Sequence, residues 1–336
     1  MIFQEVSAGG HILIGNNIYT RSDLDELKEY LARAVAAYEV HSYQRLFKTL
    51  SAGSSPYKFL DAFVIEDAEI FFGREAATKA LYNKVVRNRF CILHAKSGAG
   101  KTSLLSAGLS PRLIREGRLP LYIRAYEDPA LALKRLIASA QFGPWPKLLH
   151  ELSLHEFLGL VYRSRGSQTQ ELIVMLDQFE QFFLLWPQLE TRIPFIKVLG
   201  DCYDDQQLSL RFIIALRKDY YSDLDDFNQI LPHLDIFHNQ YRLKDMTQPE
   251  AEQAIIEPLA RLGIAVTYEP TLLKTLLAVL ARHDMELPLL QIICTRLYET
   301  RDPAEKQITV ETYEALGQVE GVLSHYLNNV LVDLPS

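Results

Sequence analysis

Residues 95–108 read Ala-Lys-Ser-Gly-Ala-Gly-Lys-Thr-Ser-Leu-Leu-Ser-Ala-Gly and follow directly on the apolar run Phe90-Cys91-Ile92-Leu93. A glycine-rich turn that leaves a strand, ends in Lys-Thr and opens a helix points main-chain N–H groups at an anion. Gly98 and Gly100 give the turn its freedom, Lys101 is placed to reach the β and γ oxygens of a nucleotide, and the Thr102 hydroxyl to bind Mg²⁺. Ser97 and Ala99 within the turn, and Ser103 in the first helical turn, complete the candidate cradle. The usual loop of this kind begins with Gly, and here the position is Ala95. A methyl group is tolerable there provided the residue keeps a negative φ.

A metal-bound nucleotide also asks for a carboxylate at the end of a neighbouring buried strand. Leu172-Ile173-Val174-Met175-Leu176-Asp177 supplies one, followed by Gln178-Phe179-Glu180. Asp177 is expected to reach a Mg²⁺-bound water, and Glu180 is the nearest candidate to polarise an attacking water. A helix cap at Asp177 and a solvated first-turn acid at Glu180 are the simpler readings. Arg217 ends the run Phe212-Ile213-Ile214-Ala215-Leu216, on the edge where α/β proteins bind ligands, and is placed to sense a γ-phosphate. An ion pair with Asp219 is its alternative. No Asn-Lys-x-Asp guanine-reading element is present, so ATP is expected rather than GTP.

Around this site short apolar runs alternate with helical text, the pattern of a mostly parallel sheet covered by helices on both faces. Strands are expected at 89–95, 119–125, 171–177, 211–217 and 236–243. After 245 only helices are expected. Thr247 and Glu250 form a capping box with Pro249 in the first turn, and that helix runs toward Gly263 with Pro258 expected to kink it. Further helices fall near 270–283 and 288–301, with one or two helical segments in 307–336. At the other end, His11–Ile14 and Ile18–Tyr19 flank Gly15-Asn16-Asn17 as a hairpin. Ser22 and Asp25 then suggest a capping box opening a helix over about 23–49. Its stripe Leu24, Leu27, Leu31, Val35, Tyr38 either packs on the rest of the chain or docks a partner, and Ser51–Pro56 reads as a linker.

Composition limits the alternatives. The chain has 336 residues, 48% of them hydrophobic, and a formal net charge of −7, which disfavours broad nucleic-acid binding. No apolar run approaches the ~20 residues that span a bilayer, and the first residues lack the pattern of a secretory leader, so no membrane partner and a cytoplasmic location are expected. Cys91, Cys202 and Cys294 are widely spaced in apolar text and read as reduced packing residues, with no His at zinc-ligand spacing.

Phe71-Phe72-Gly73-Arg74-Glu75, Ala95 to Thr102, Leu176-Asp177-Gln178-Phe179-Glu180, Leu216-Arg217-Lys218-Asp219 and Leu287-Pro288-Leu289-Leu290 occur in that order. Together they resemble a STAND NTPase of the bacterial novel STAND type, a signalling relative of the AAA+ ATPases and NLR immune switches, over about residues 57–336. The resemblance implies a P-loop sheet of order 5-1-4-3-2 that brings Lys101, Asp177 and Arg217 together. It also implies that the segment Phe72 to Glu75, with Phe72, Gly73 and Arg74 as binding residues, lies beside the adenine, and that Pro288 of the helical domain closes over base and ribose. The implied layout is an adaptor or oligomerisation element at 1–50, a linker at 51–56, the NTPase domain at 57–245, a small all-α domain at 246–302 and the opening of a winged helix at 303–336. Sensor repeats are then missing or carried by another polypeptide, and the protein effector is unknown.

The function so implied is an ATP/ADP switch that controls opening and self-association, with Mg²⁺ and slow ATP hydrolysis, in conflict or defence signalling. Gln178 stands where many relatives carry an acid, which points to slow turnover, and Glu286 stands where a Gly usually precedes the helical-domain proline. A kinase-like phosphotransferase and a scaffold with a structural nucleotide are the alternatives.

Overall fold

The computed structural model describes residues 4–5, 11–14, 17–50, 54–125, 127–138, 144–165, 171–234, 236–302 and 304–322. The hairpin turn at Gly15-Asn16, the start of the linker at 51–53 and the close of the expected winged-helix segment at 323–336 lie outside these residues. The chain divides into two compact units interleaved in sequence. One comprises Met1–Phe47, Ala80–Lys96 and Ser110–Arg242; the other comprises Lys48–Lys79, Ser97–Leu109 and Leu243–Ser336.

The first unit opens with an antiparallel sheet of β1 (Gln4–Glu5), β2 (His11–Ile14) and β3 (Asn17–Thr20), in which Ile14 pairs with Asn17. The short β1 carries no periodic signal of its own and was not anticipated. Thr20 then caps the helix Arg21–Leu46, accepting from the Asp23 N–H while the Asp23 carboxylate accepts from the Thr20 N–H. The box therefore sits at Thr20 and Asp23 rather than at Ser22 and Asp25, because β3 runs straight into the helix and leaves Thr20 as its last extended residue. Leu24, Leu27, Leu31, Ala34 and Val35 from this helix are buried in the unit's core, and the Tyr38 hydroxyl donates to the Pro120 carbonyl at 2.9 Å. The stripe thus packs on the chain itself.

The main sheet contains β4 (Phe90–Ala95), β5 (Leu119–Arg124), β6 (Leu172–Asp177), β7 (Leu210–Arg217) and β8 (Gln240–Arg242), every neighbouring pair parallel. Its spatial order is β5-β6-β7-β4-β8. Counting the five strands along the chain, this is 5-1-4-3-2 read from the β8 edge. Every residue of β4 and β6 is buried, as a central strand covered on both faces requires, and their unbroken apolar text follows from that. The last strand is shorter than the expected 236–243. Ile236 is buried in a turn, and the polar Gln240–Arg242 forms the edge, where half the backbone needs no strand partner.

The C-terminal part of the second unit includes the helices Gln248–Arg261, Pro270–Arg282, Leu287–Thr300 and Val310–Ala315. Thr247 and Glu250 form the expected capping box, and Gly263, at φ +67°, follows the first helix. Ile255, Leu259, Leu272, Leu276, Leu290, Ile293 and Leu297 build the core around the buried Tyr57, whose hydroxyl donates to the Ile255 carbonyl and accepts from Tyr268. Strand pairing does not stop at 245: β9 (Thr267–Tyr268) and β10 (Gln307–Ile308) form a parallel ladder of two residues each, too short for periodicity to announce.

Candidate functional site

In the first unit, the register of the sheet aligns the strand ends. Arg124 pairs with Asp177, and Arg217 pairs with Ala95. Ala95 closes β4 as a buried, extended residue, so its methyl group causes no conflict with the chain's exit from the strand.

Asp177 is 0% exposed. The Tyr122 hydroxyl donates to its Oδ2 at 2.7 Å, and the Gln178 N–H donates to its Oδ1 at 2.9 Å. Burial, and then the neighbouring carboxylate charge, push the Tyr122 hydroxyl well above the ordinary phenol value, so it stays a donor. Gln178 has φ +54°, a left-handed conformation uncommon outside glycine, and this bend turns its N–H back onto Asp177. Glu180 is buried, with Oε2 accepting from the main-chain N–H of Arg217 at 3.1 Å. The Arg217 guanidinium is paired with Asp219 at 2.7 Å. Two expected site residues, Glu180 and Arg217, are therefore brought together, joined by backbone rather than by their charges.

The second unit holds the glycine loop. Gly98 and Gly100 have φ of +72° and +86°, which is why residues without a Cβ stand there. Gly100 is the N-cap of a helical run from Lys101 to Arg115 that passes through a π-helical stretch, Leu104–Leu109. Lys101 is buried at the start of that run; Thr102 and Ser103 are half-buried, and the Ser103 hydroxyl accepts from the Phe63 N–H at 3.1 Å. Ser97 and Gly98 are exposed and Ala99 is buried.

Pro288 lies against the loop. A Cβ built on Gly98 would be 3.2 Å from Pro288 Cγ, and one built on Gly100 would be 3.1 Å from Leu287 Cδ1. Of the segment expected beside the adenine, Phe72 is half-buried, Gly73 has φ +78°, and Arg74 is 4% exposed. The Arg74 guanidinium donates to the Ala99 carbonyl at 3.1 Å and to the Lys244 carbonyl at 2.9 Å. Sequence reasoning missed Tyr122, the packing of Leu287 on the loop and the attachment of Arg74 to it.

A parallel sheet of this order, with a glycine loop after its first strand and an acid closing its third, defines a P-loop NTPase. The chain belongs to the Novel STAND NTPase 1 family, whose model matches residues 56–336; residues 1–55 lie outside the match. A search of the curated proteins finds no match. Among solved structures the chain is similar to the Aeropyrum pernix ORC2 protein in its ADPNP-ADP complexes, at 16% identity and TM-score 0.50, over 78% of this chain and 69% of that one. It is also similar to the Walker-type ATPase of Pyrococcus abyssi, at 17% identity and TM-score 0.51, over 82% of this chain and 80% of that one. These likenesses show the fold. Among the described residues no helix is long and apolar enough to cross a membrane.

Proposed function

We propose that this chain is an ATP/ADP-dependent switch in which the occupant of the glycine loop sets the disposition of the helical bundle and thereby self-association. The observation that carries the reading is the packing of Leu287 and Pro288 on Gly100 and Gly98. A ligand shifts a conformational equilibrium only through contacts that differ between states, and a bundle helix seated on a phosphate loop supplies such contacts. The bound nucleotide supplies the anionic phosphates and the leaving group. The N–H groups of residues 98–102 and the Lys101 ammonium bind those phosphates, and the adjacent Pro288 excludes water from the loop's face.

Mg²⁺ fits the donors available. Thr102 offers a hydroxyl and Asp177 a buried carboxylate held by the Tyr122 hydroxyl and the Gln178 N–H, both hard oxygen donors of the kind Mg²⁺ takes. Glu180 orients the attacking water once released from the Arg217 N–H, and this prior engagement, with Gln178 in place of an acid, supports slow hydrolysis. Arg217, exchanged from Asp219, distinguishes ATP from ADP. The wider role is cytoplasmic conflict or defence signalling through a separate sensor and effector, a reading that rests on family analogy.

Purified protein, denatured and assayed for released nucleotide, tests the core of this reading. Retained ADP, turnover well below one per minute and a shift to a larger species with ATP by analytical ultracentrifugation are the expected results. Lys101→Ala is expected to weaken nucleotide binding by about a hundredfold or more, the cost of losing a charge-assisted contact in a desolvated loop, with thermal stability of the apo chain unchanged. An empty wild-type protein whose assembly ignores Lys101→Ala overturns the switch, as does rapid turnover driven by a small phosphate acceptor.

A further inference from the structure

We propose that Arg74 is a positioning residue that fixes the peptide plane at the apex of the glycine loop and ties it to the connector entering the helical bundle. The proposal rests on the nucleotide reading above and adds to it a route by which the phosphate end of the site and the bundle are linked.

The argument starts from the acceptors. Arg74 is buried, and two of its nitrogens donate to main-chain carbonyls that are far apart in sequence: Ala99 in the loop, and Lys244 in the segment between β8 and the helix Gln248–Arg261. In a trans peptide the C=O and the following N–H point to opposite sides. Holding the Ala99 oxygen from one side therefore aims the Gly100 N–H to the other. Gly100, at φ +86°, has no Cβ to select its conformation, so a free loop would sample several orientations of this peptide. One guanidinium removes that freedom in advance of any ligand, because its two N–H arms are rigidly coplanar and engage both carbonyls at once.

The rest of the turn explains why the arginine stays in place. Gly73, at φ +78°, is so close to the first turn of the helix Gln248–Arg261 that a Cβ on it would be 2.2 Å from the Glu250 carbonyl oxygen. Its N–H donates to the Glu75 carboxylate at 3.2 Å, and the Arg74 carbonyl accepts from the Thr78 N–H at 2.8 Å as the next helix begins. Arg74 thus projects from a turn seated on the bundle and reaches the loop. Movement of the Ala99–Gly100 peptide on phosphate binding pulls on the same side chain that holds Lys244. This assignment differs from a role in reading the adenine: two of the guanidinium's nitrogens are engaged by backbone oxygens.

The test uses the full chain, fluorescent ADP for affinity, and hydrogen exchange with and without ADP. In the wild type, ADP is expected to slow exchange at residues 98–104 and also at 245–251. Arg74→Lys keeps the charge but its single ammonium cannot span both carbonyls. It is expected to bind ADP about tenfold more weakly, and to keep the protection at 98–104 while losing that at 245–251. A lysine variant with wild-type affinity and an unchanged response at 245–251 overturns the proposal and leaves the nucleotide reading standing. A wild-type protein that binds neither ADP nor ATP overturns both. If Arg74→Lys loses its helical circular dichroism, the wild type decides alone: ADP protection confined to 98–104 overturns the coupling, and protection at both segments supports it.

Discussion

The glycine loop and the sheet edge are built in opposite ways. At the loop, main-chain conformation is committed: Gly98 and Gly100 hold positive φ, Leu287 and Pro288 fill the space where side chains would stand, and Arg74 grips the Ala99 carbonyl. At the sheet edge the side chains already have hydrogen-bond or ion-pair partners. Asp177 is hydrogen-bonded by Tyr122, Glu180 by the Arg217 N–H, and Arg217 is paired with Asp219. A preformed loop binds without reorganisation, whereas groups already paired must exchange partners before they can act on a ligand. The difference is what would let a loop bind firmly while the chemistry stays slow, as the proposed switch requires.

The comparison is broken most forcefully at Gly73. Alanine there must hold φ +78° and place a methyl group 2.2 Å from the Glu250 carbonyl oxygen, so backbone has to move. A cost of about 3 kcal/mol is expected, seen as a lower urea midpoint. Gly263→Ala is the control. Its φ is +67° but nothing lies within 4 Å of the added Cβ, so only the dihedral penalty of about 1 kcal/mol should appear. Equal losses in the two variants would show that the turn at Gly73 is not pressed on the bundle and would remove the support on which Arg74 stands.

The same contrast explains what the sequence revealed. The loop was legible because the duties expected of it demand residue types: glycine for positive φ, lysine for a phosphate, threonine for a metal ion. The apolar runs at 90–95 and 172–177 announced central strands because both faces are buried, while the edge strand expected over 236–243 forms only at Gln240–Arg242, since polar text satisfies an edge as well as a loop and blurs its bounds. The strand order came from the family resemblance and not from periodicity. Arg74 was legible as a motif residue, but its acceptors are backbone oxygens of Ala99 and Lys244, which no residue type advertises. Tyr122 escaped for a related reason: its hydroxyl reaches Asp177 only because β5 pairs with β6 in the register that sets Arg124 opposite Asp177.

Tyr122→Phe sharpens the sheet-edge side of the comparison with a near-isosteric change. Removing the hydroxyl leaves Asp177 Oδ2 without the donor that orients it, and outer-shell donors of this kind typically contribute about tenfold or more to metal affinity. The Mg²⁺ concentration that half-saturates tight ATP binding is expected to rise by about tenfold, with Mg²⁺-independent ADP binding and thermal stability little changed. A fall in that concentration would mean that the hydroxyl competes with the ion instead of presenting the carboxylate to it.

The smallest expected effect is the most specific. Arg217 and Asp219 are 42% and 49% exposed, so their pair is screened by solvent and adds little to stability. Asp219→Ala should leave the thermal midpoint where it is. It also removes the partner that occupies the guanidinium, at the strand end whose N–H holds Glu180. If Arg217 senses the γ-phosphate, ATP affinity rises by roughly threefold while ADP affinity does not, the scale of one solvent-exposed charge pair. The gain should shrink as salt is raised from 50 mM toward 500 mM, because an exposed cation's attraction is screened over roughly 10 Å at 0.1 M. A gain shared equally by ATP and ADP would place Arg217 outside the γ-phosphate's reach and leave Lys101 as the sole cation named for that group. Discrimination between the two nucleotides would then have to come from the loop and the bundle seated on it, the committed side of the comparison.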